Sequence, residues 1–155
     1  MNKNSFTPEG YNAVMPALAI KSAAIAIEWY KEIFNAKEKM VLRDHLGTVV
    51  HAELLIDDSV IMLAEENPQY NKSPKTLGGN SVNLCLYTAD VDEVVRKAVG
   101  KGSHLIMPPT DQFYGDRSGR IEDPFGYTWV ISTHVKDVSP EEMQHLMDEM
   151  MSPAE

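Results

Sequence analysis

A chain of 155 residues, 43% of them apolar, is long enough to bury a core, and its formal charge of −9 at neutral pH repels a phosphate backbone. No basic stripe interleaved with aromatics offsets that average, no apolar run approaches the roughly 18 residues of a membrane span, and the single cysteine, Cys85, excludes an intrachain disulfide or a multi-thiolate zinc site. These features predict a cytoplasmic protein whose partner is neither nucleic acid nor a membrane.

Residues 13–20 read as a strand, with Pro16 removing one ladder donor and so arguing for an edge or a bulge. Ser22 is placed to cap a helix through Phe34, because Ala23, Ile27, Tyr30 and Phe34 form one stripe that would pack on a sheet. Three strands are expected next, at 38–43, 49–56 and 59–64, the last two joined by Asp57-Asp58. Polar, punctuated sequence between Glu65 and Asn80 marks a surface connection. A second series opens with a strand at 81–88 and a helix capped by Asp90 with Glu93, lined by Val91, Val94, Val95 and Ala98 and stopped by Gly100 and Gly102. Strands at 104–107, 118–122 and 127–133 follow, with Asp123-Pro124-Phe125-Gly126 as the final hairpin turn. Ser139-Pro140-Glu141-Glu142 then starts a tail helix. Its stripe of Met143, Leu146, Met147 and Met150 needs a surface, either on its own domain or on a partner subunit.

The two series are copies of one pattern. Val14 and Leu18 match Val82 and Leu86 (82 − 14 = 68; 86 − 18 = 68), Gly47 matches Gly115, and the apolar run 60–63 meets 128–131 at the same offset. The expected fold is α+β, with βαβββ units at 12–66 and 81–134, a linker at 67–80 and a C-terminal helix and tail at 135–155, in a single compact domain overall. A small molecule would sit between the two sheets.

Paired βαβββ units, with Trp29-Tyr30-Lys31-Glu32-Ile33-Phe34 in the first helix and Asp123-Pro124-Phe125-Gly126-Tyr127 before the last strand, resemble the vicinal-oxygen-chelate superfamily of glyoxalases, extradiol dioxygenases and bleomycin-resistance proteins. Within it, His51-Ala52-Glu53-Leu54, the segment Asp111–Arg117 and the run Thr133–Glu142 are similar to the PhnB-like group. The resemblance implies U-shaped sheets around a cup, commonly in a homodimer. It does not fix an activity, because the superfamily holds isomerases, dioxygenases, thiol transferases and drug-binding proteins.

In metal-dependent members each unit gives one ligand from its first strand and one from its last, as His, Glu or Gln. Matched to this sequence, the resemblance puts those positions at Met15, Met62, Asn83 and Val130. Two thioethers, an amide and an aliphatic chain do not suit a first-row divalent ion, so neither metal nor other cofactor is expected. A relocated set remains open: His51 and Glu53 share one face of their strand, with His134 as a candidate third member. Asn83, Cys85 and Tyr87 alternate with Leu84 and Leu86 and should face the cup, while Gln112, Tyr114 and Arg117 lie in a loop opened by Pro108-Pro109 that could close over it. The fork of Arg117 suits a carboxylate or phosphate; the plain alternative is an ion pair with Asp111, Asp116 or Asp123.

The expected function is thus to bind a small, largely apolar molecule without a metal, either sequestering it or transforming it. The alternative is a metal-dependent lyase, isomerase or dioxygenase with relocated ligands. Methyl transfer from S-adenosylmethionine is disfavoured, because Gly78-Gly79 precedes a strand instead of joining a strand to a helix.

Overall fold

The computed structural model describes residues 6–152, and the chain divides after Asn80 into two compact units. The first contains β1 (Ala17–Ile20), α1 (Ala23–Phe34), β2 (Lys37–Arg43), β3 (Val49–Ile56), β4 (Ser59–Glu65) and a short α2 (Pro74–Leu77). The second contains β5 (Asn83–Tyr87), α3 (Val91–Gly100), β6 (His104–Asp111), β7 (Asp116–Glu122), β8 (Thr128–His134) and the tail helix α4 (Pro140–Met151). Each has one four-stranded sheet, ordered β1-β4-β3-β2 and β5-β8-β7-β6, in which only the first-listed pair is parallel. This is the α+β arrangement of two βαβββ units with a C-terminal helix that the repeat predicts.

Both cores follow from periodicity. In the first unit, Ile27 and Tyr30 of α1 are buried with Leu18 and Ile20 of β1, Leu54 of β3 and Leu63 of β4. Trp29 and Phe34 add an aromatic cluster, with ring centroids 5.4 Å apart in an edge-on contact. In the second unit Val91, Val95 and Ala98 of α3 are buried with Ile121 and Ile131.

The copies also share a capping device. The backbone N–H groups of Ser22 and Ala23 donate to the Glu65 carboxylate at 2.9 and 2.7 Å, and that of Val91 donates to Thr133 Oγ1 at 3.0 Å. Both the donors (91 − 23 = 68) and the acceptors (133 − 65 = 68) keep the repeat offset, so the end of each last strand caps the helix of its own unit. Ser22 is therefore not the cap its sequence position suggests. It sits at φ 75°, its hydroxyl makes no capping bond, and the charged Glu65 takes that role. Asp90 does cap α3, accepting from Glu93 N at 3.0 Å, but the Glu93 carboxylate turns to Arg96 instead of completing a reciprocal box.

Several boundaries differ for reasons rooted in proline. β1 begins at Ala17 and not at 13, since Pro16 has no N–H; its carbonyl instead accepts from Met62 N at 2.9 Å. β6 runs through Pro108-Pro109 to Asp111, leaving only Gln112–Gly115 as loop, because an edge strand loses little when a donor is missing. The polar connection holds structure of its own. Ser73 caps α2 through its hydroxyl, and Glu66 accepts from Ser73 N at 2.9 Å and from the Thr76 hydroxyl.

The repeat is not strictly constant in offset. A β-bulge falls between Glu38 and Met40 in the first unit and between Leu105 and Met107 in the second (105 − 38 = 67; 107 − 40 = 67), so β2 and β3 map onto β6 and β7 one residue short of the 68 that relates β1 and β4 to β5 and β8. The longer β7–β8 turn restores the register.

Candidate functional site

Each sheet packs its helix on one face, and the opposite, open face still holds buried side chains, among them Val60 in the first unit and Ser118 and Ser132 in the second. In the first unit the open face carries Met62 of β4, with His51 and Glu53 of β3; Met15 precedes β1 in the same alternation and is half-buried. Glu53 is only 4% exposed, and it is held there by specific donors. Tyr11 donates its phenol to Oε2 at 2.5 Å, and His51 Nε2 lies 3.0 Å from Oε1. The Tyr11 bond, then the His51 bond, holds the carboxyl below its ordinary range against the opposing pull of burial, and the Lys39 ammonium, seated 3.8 Å over the Tyr11 ring, adds a smaller favourable charge.

The second unit builds a parallel arrangement at a different register. Its open face carries Asn83, Cys85 and Tyr87 of β5, Val130, Ser132 and His134 of β8, and Asp116, Ser118 and Arg120 of β7. Asp116, 6% exposed, accepts from the Tyr87 phenol at 2.7 Å and pairs with His134 Nδ1 at 2.8 Å. Burial, the largest influence, would raise its pKa; the bonds from Tyr87 and His134 together outweigh it and leave the group lowered. Beside it, Ser118 and Ser132 share a buried hydrogen bond of 2.7 Å. Each open face thus holds one buried carboxylate clasped by a tyrosine and a histidine.

The predicted site residues separate into two groups. His51 with Glu53, and Asn83, Cys85 and Tyr87 with Val130, stand on the open faces of their own sheets. Of the loop residues, only Tyr114 reaches the open face of its unit, through Ser118; Arg117 and Gln112 are engaged elsewhere. Arg117 alternates onto the helix side of β7, where Nε and Nη2 donate to Asp92 of α3 at 2.7 and 2.9 Å and Nη1 to Asp111 at 3.0 Å. Asp111 was one of the expected partners, but the bidentate contact goes to Asp92, and neither Asp116 nor Asp123 takes part. Gln112 Nε2 donates to the Thr110 carbonyl at 3.3 Å, and the Tyr114 phenol donates to Ser118 Oγ at 3.4 Å. Phe113 and Tyr114 line an open recess of about 430 Å³ together with Pro140, Met143, Gln144 and Met147 of α4, so the first turns of the tail helix lie beside this loop. Met150 and Met151 farther along are exposed.

His134 engages a second acid within its own unit, its Nε2 lying 3.0 Å from Asp137 Oδ1. Among the described residues no three His, Cys, Asp or Glu side chains converge as a cation cage. The bond to Asp116, then that to Asp137, raises the His134 pKa. A group whose folded pKa lies above its unfolded one stabilises fully below the unfolded value, about 6.5 for histidine, and loses that contribution as pH rises through the folded value. The melting difference between the native protein and His134→Gln should therefore be widest in mildly acidic buffer and shrink in alkaline buffer. A difference unchanged across that range would show that the charge on His134 contributes nothing.

The fold and these faces define a known class. The chain belongs to the glyoxalase/bleomycin resistance protein/dioxygenase superfamily, whose model matches residues 12–131. An uncharacterized protein of Mycobacterium bovis is 34% identical over 139 residues, covering 87% of this chain and 91% of its own. Among solved structures, TioX from Micromonospora sp. ML1 is similar at 23% identity and a TM-score of 0.62, covering 80% of this chain and all (100%) of that one. The PhnB protein of Bacillus cereus is similar at 18% identity and a TM-score of 0.63, covering 79% and 99%. At such identities these two structures show the shared fold alone. No helix among the described residues is long and apolar enough to cross a membrane.

The divalent ion that the superfamily implies does not fit the residues present. The positions that the resemblance matches to its ligands offer the thioethers of Met15 and Met62, the amide of Asn83 and the aliphatic Val130. Oxygen and nitrogen donors for a hard or borderline cation are missing at three of the four.

Proposed function

We propose that this protein binds a small, largely apolar molecule in the cup of its glyoxalase-type fold, and that it does so without the superfamily's divalent ion. The reading is carried by the residue types at the four positions that the resemblance matches to the superfamily's ligands: Met15, Met62, Asn83 and Val130 offer two thioethers, an amide and an aliphatic chain. The two open-face carboxylates support it as well, because both oxygens of Glu53 and both of Asp116 already accept hydrogen bonds from tyrosine and histidine. Groups so held keep their charge despite their burial. In the cell the protein would act in the cytoplasm as a homodimer.

The test is equilibrium dialysis of the untagged protein against a metabolite extract, followed by mass spectrometry of the retained fraction at early and late times. A sequestering protein enriches one class of small molecule and returns it at unchanged mass. A metal-independent enzyme yields a new mass that accumulates with time. Retention no greater than that of heat-denatured protein would refute the cup.

A further inference from the structure

One row of side chains crosses both open faces in the same way. Ala17, Met62, Glu53 and Met40 stand side by side in the first sheet, and Cys85, Val130, Arg120 and Met107 in the second. Glu53 and Arg120 therefore occupy equivalent places in a duplicated frame, with opposite charge (120 − 53 = 67). The acid is satisfied within its own unit by Tyr11 and His51. The base is not. Among the described residues the Arg120 side chain makes no hydrogen bond or ion pair, and its Nε is buried without an acceptor. A half-buried guanidinium between Met107 and Val130 with an unanswered N–H burdens the free protein, and an incoming oxygen would relieve it.

We propose that Arg120 anchors the carboxylate of a small, otherwise apolar ligand, an assignment that rests on the cup reading above. The planar fork of a guanidinium meets two carboxylate oxygens at once, and the neighbouring Met107, Val130 and Cys85 offer an apolar bed to the rest of the molecule. A monoanion fits better than a phosphate dianion. Arg120 brings one positive charge, the same face of β7 carries Asp116 and Glu122, and the chain as a whole stands at −9. This places the anion anchor on Arg120 and not on Arg117, whose donors are already taken by Asp92 and Asp111.

Three probes with one aromatic body test the assignment by fluorescence titration: naphthoate, naphthyl phosphate and naphthol. The native protein should bind naphthoate roughly ten-fold or more tightly than naphthol, the expected value of a charge-assisted hydrogen-bonded pair. Arg120→Gln should bring naphthoate down to the naphthol level while leaving naphthol unchanged, Arg120→Lys should keep part of the preference, and neither variant should melt below the native protein. Undiminished naphthoate binding by Arg120→Gln overturns the anchor while the cup stands. Preference for the phosphate ester overturns the carboxylate assignment, and a lowered melting temperature with the preference intact marks Arg120 as structural. Failure of the native protein to bind either naphthol or naphthoate overturns the cup and the anchor together.

Discussion

Asp123→Ala should destabilise the protein by about 3–5 kcal/mol and lower its melting temperature by roughly 10 °C. Asp123 is 1% exposed, and its carboxylate organises the whole β7–β8 turn. Oδ1 accepts from the backbone N–H groups of Phe125 and Tyr127, each at 2.9 Å, while Oδ2 accepts from the Trp129 indole at 2.9 Å. Alanine would strand three donors, those of Phe125 and Trp129 in buried surroundings, and the desolvation cost of an unanswered donor exceeds the net worth of the bond it loses. Asp123→Asn should fall between the two, because one amide oxygen can keep both backbone bonds but the amide nitrogen meets the indole N–H as donor against donor. Urea unfolding of the three proteins gives the order directly. A loss below about 1 kcal/mol for the alanine variant would show that water replaces the carboxylate and that the turn does not depend on it.

Gly115→Ala should cost a comparable amount, on the order of 4 kcal/mol, for a different reason. Gly115 lies at φ 97°, and a Cβ there would come within 2.1 Å of the Lys136 carbonyl oxygen. The Gly115 carbonyl also accepts from the N–H groups of Val135 and Lys136, both at 3.0 Å, so the two segments cannot part without losing those bonds. The strand end that carries His134 and the loop that leads into Asp116 are joined at this point, and the damage should reach the Tyr87–Asp116–His134 cluster. Gly47→Ala is the internal control. Gly47 has nearly the same conformation, φ 85°, but nothing within 4 Å of the added carbon, so it should show only the left-handed penalty of about 1–2 kcal/mol. Equal losses at the two positions, measured by thermal melts, would mean that crowding against Lys136 is not the cause.

The gross fold was legible because hydrophobic alternation, capping residues and turn chemistry agree with one another along this chain. The strand 49–56 is found with its predicted bounds, and the period of two that puts His51 and Glu53 on one face is borne out in their hydrogen bond. Tyr11 escaped notice because its contact with Glu53 spans 42 residues and leaves no local pattern. Asp116 escaped because it looked like one acid among several in a loop, whereas β7 in fact begins with it. Arg120 was hidden by arithmetic. At a constant offset of 68, Glu53 matches Ile121, a core residue on the opposite face; only the one-residue slip shared by β2, β3 and their counterparts brings Arg120 to that place. Local pattern thus gives faces, and tertiary register decides which residues share them.

The proposed metal-free reading is best tested by metal analysis of untagged protein, followed by calorimetric titration with nickel, zinc, manganese and iron(II). Side chains that give two sulfurs, an amide and a valine at the inherited positions should retain no stoichiometric ion and show no saturable heat. One equivalent of any of these ions, lost on His51→Ala or Glu53→Ala, would contradict the account and make this a metal enzyme with a relocated site.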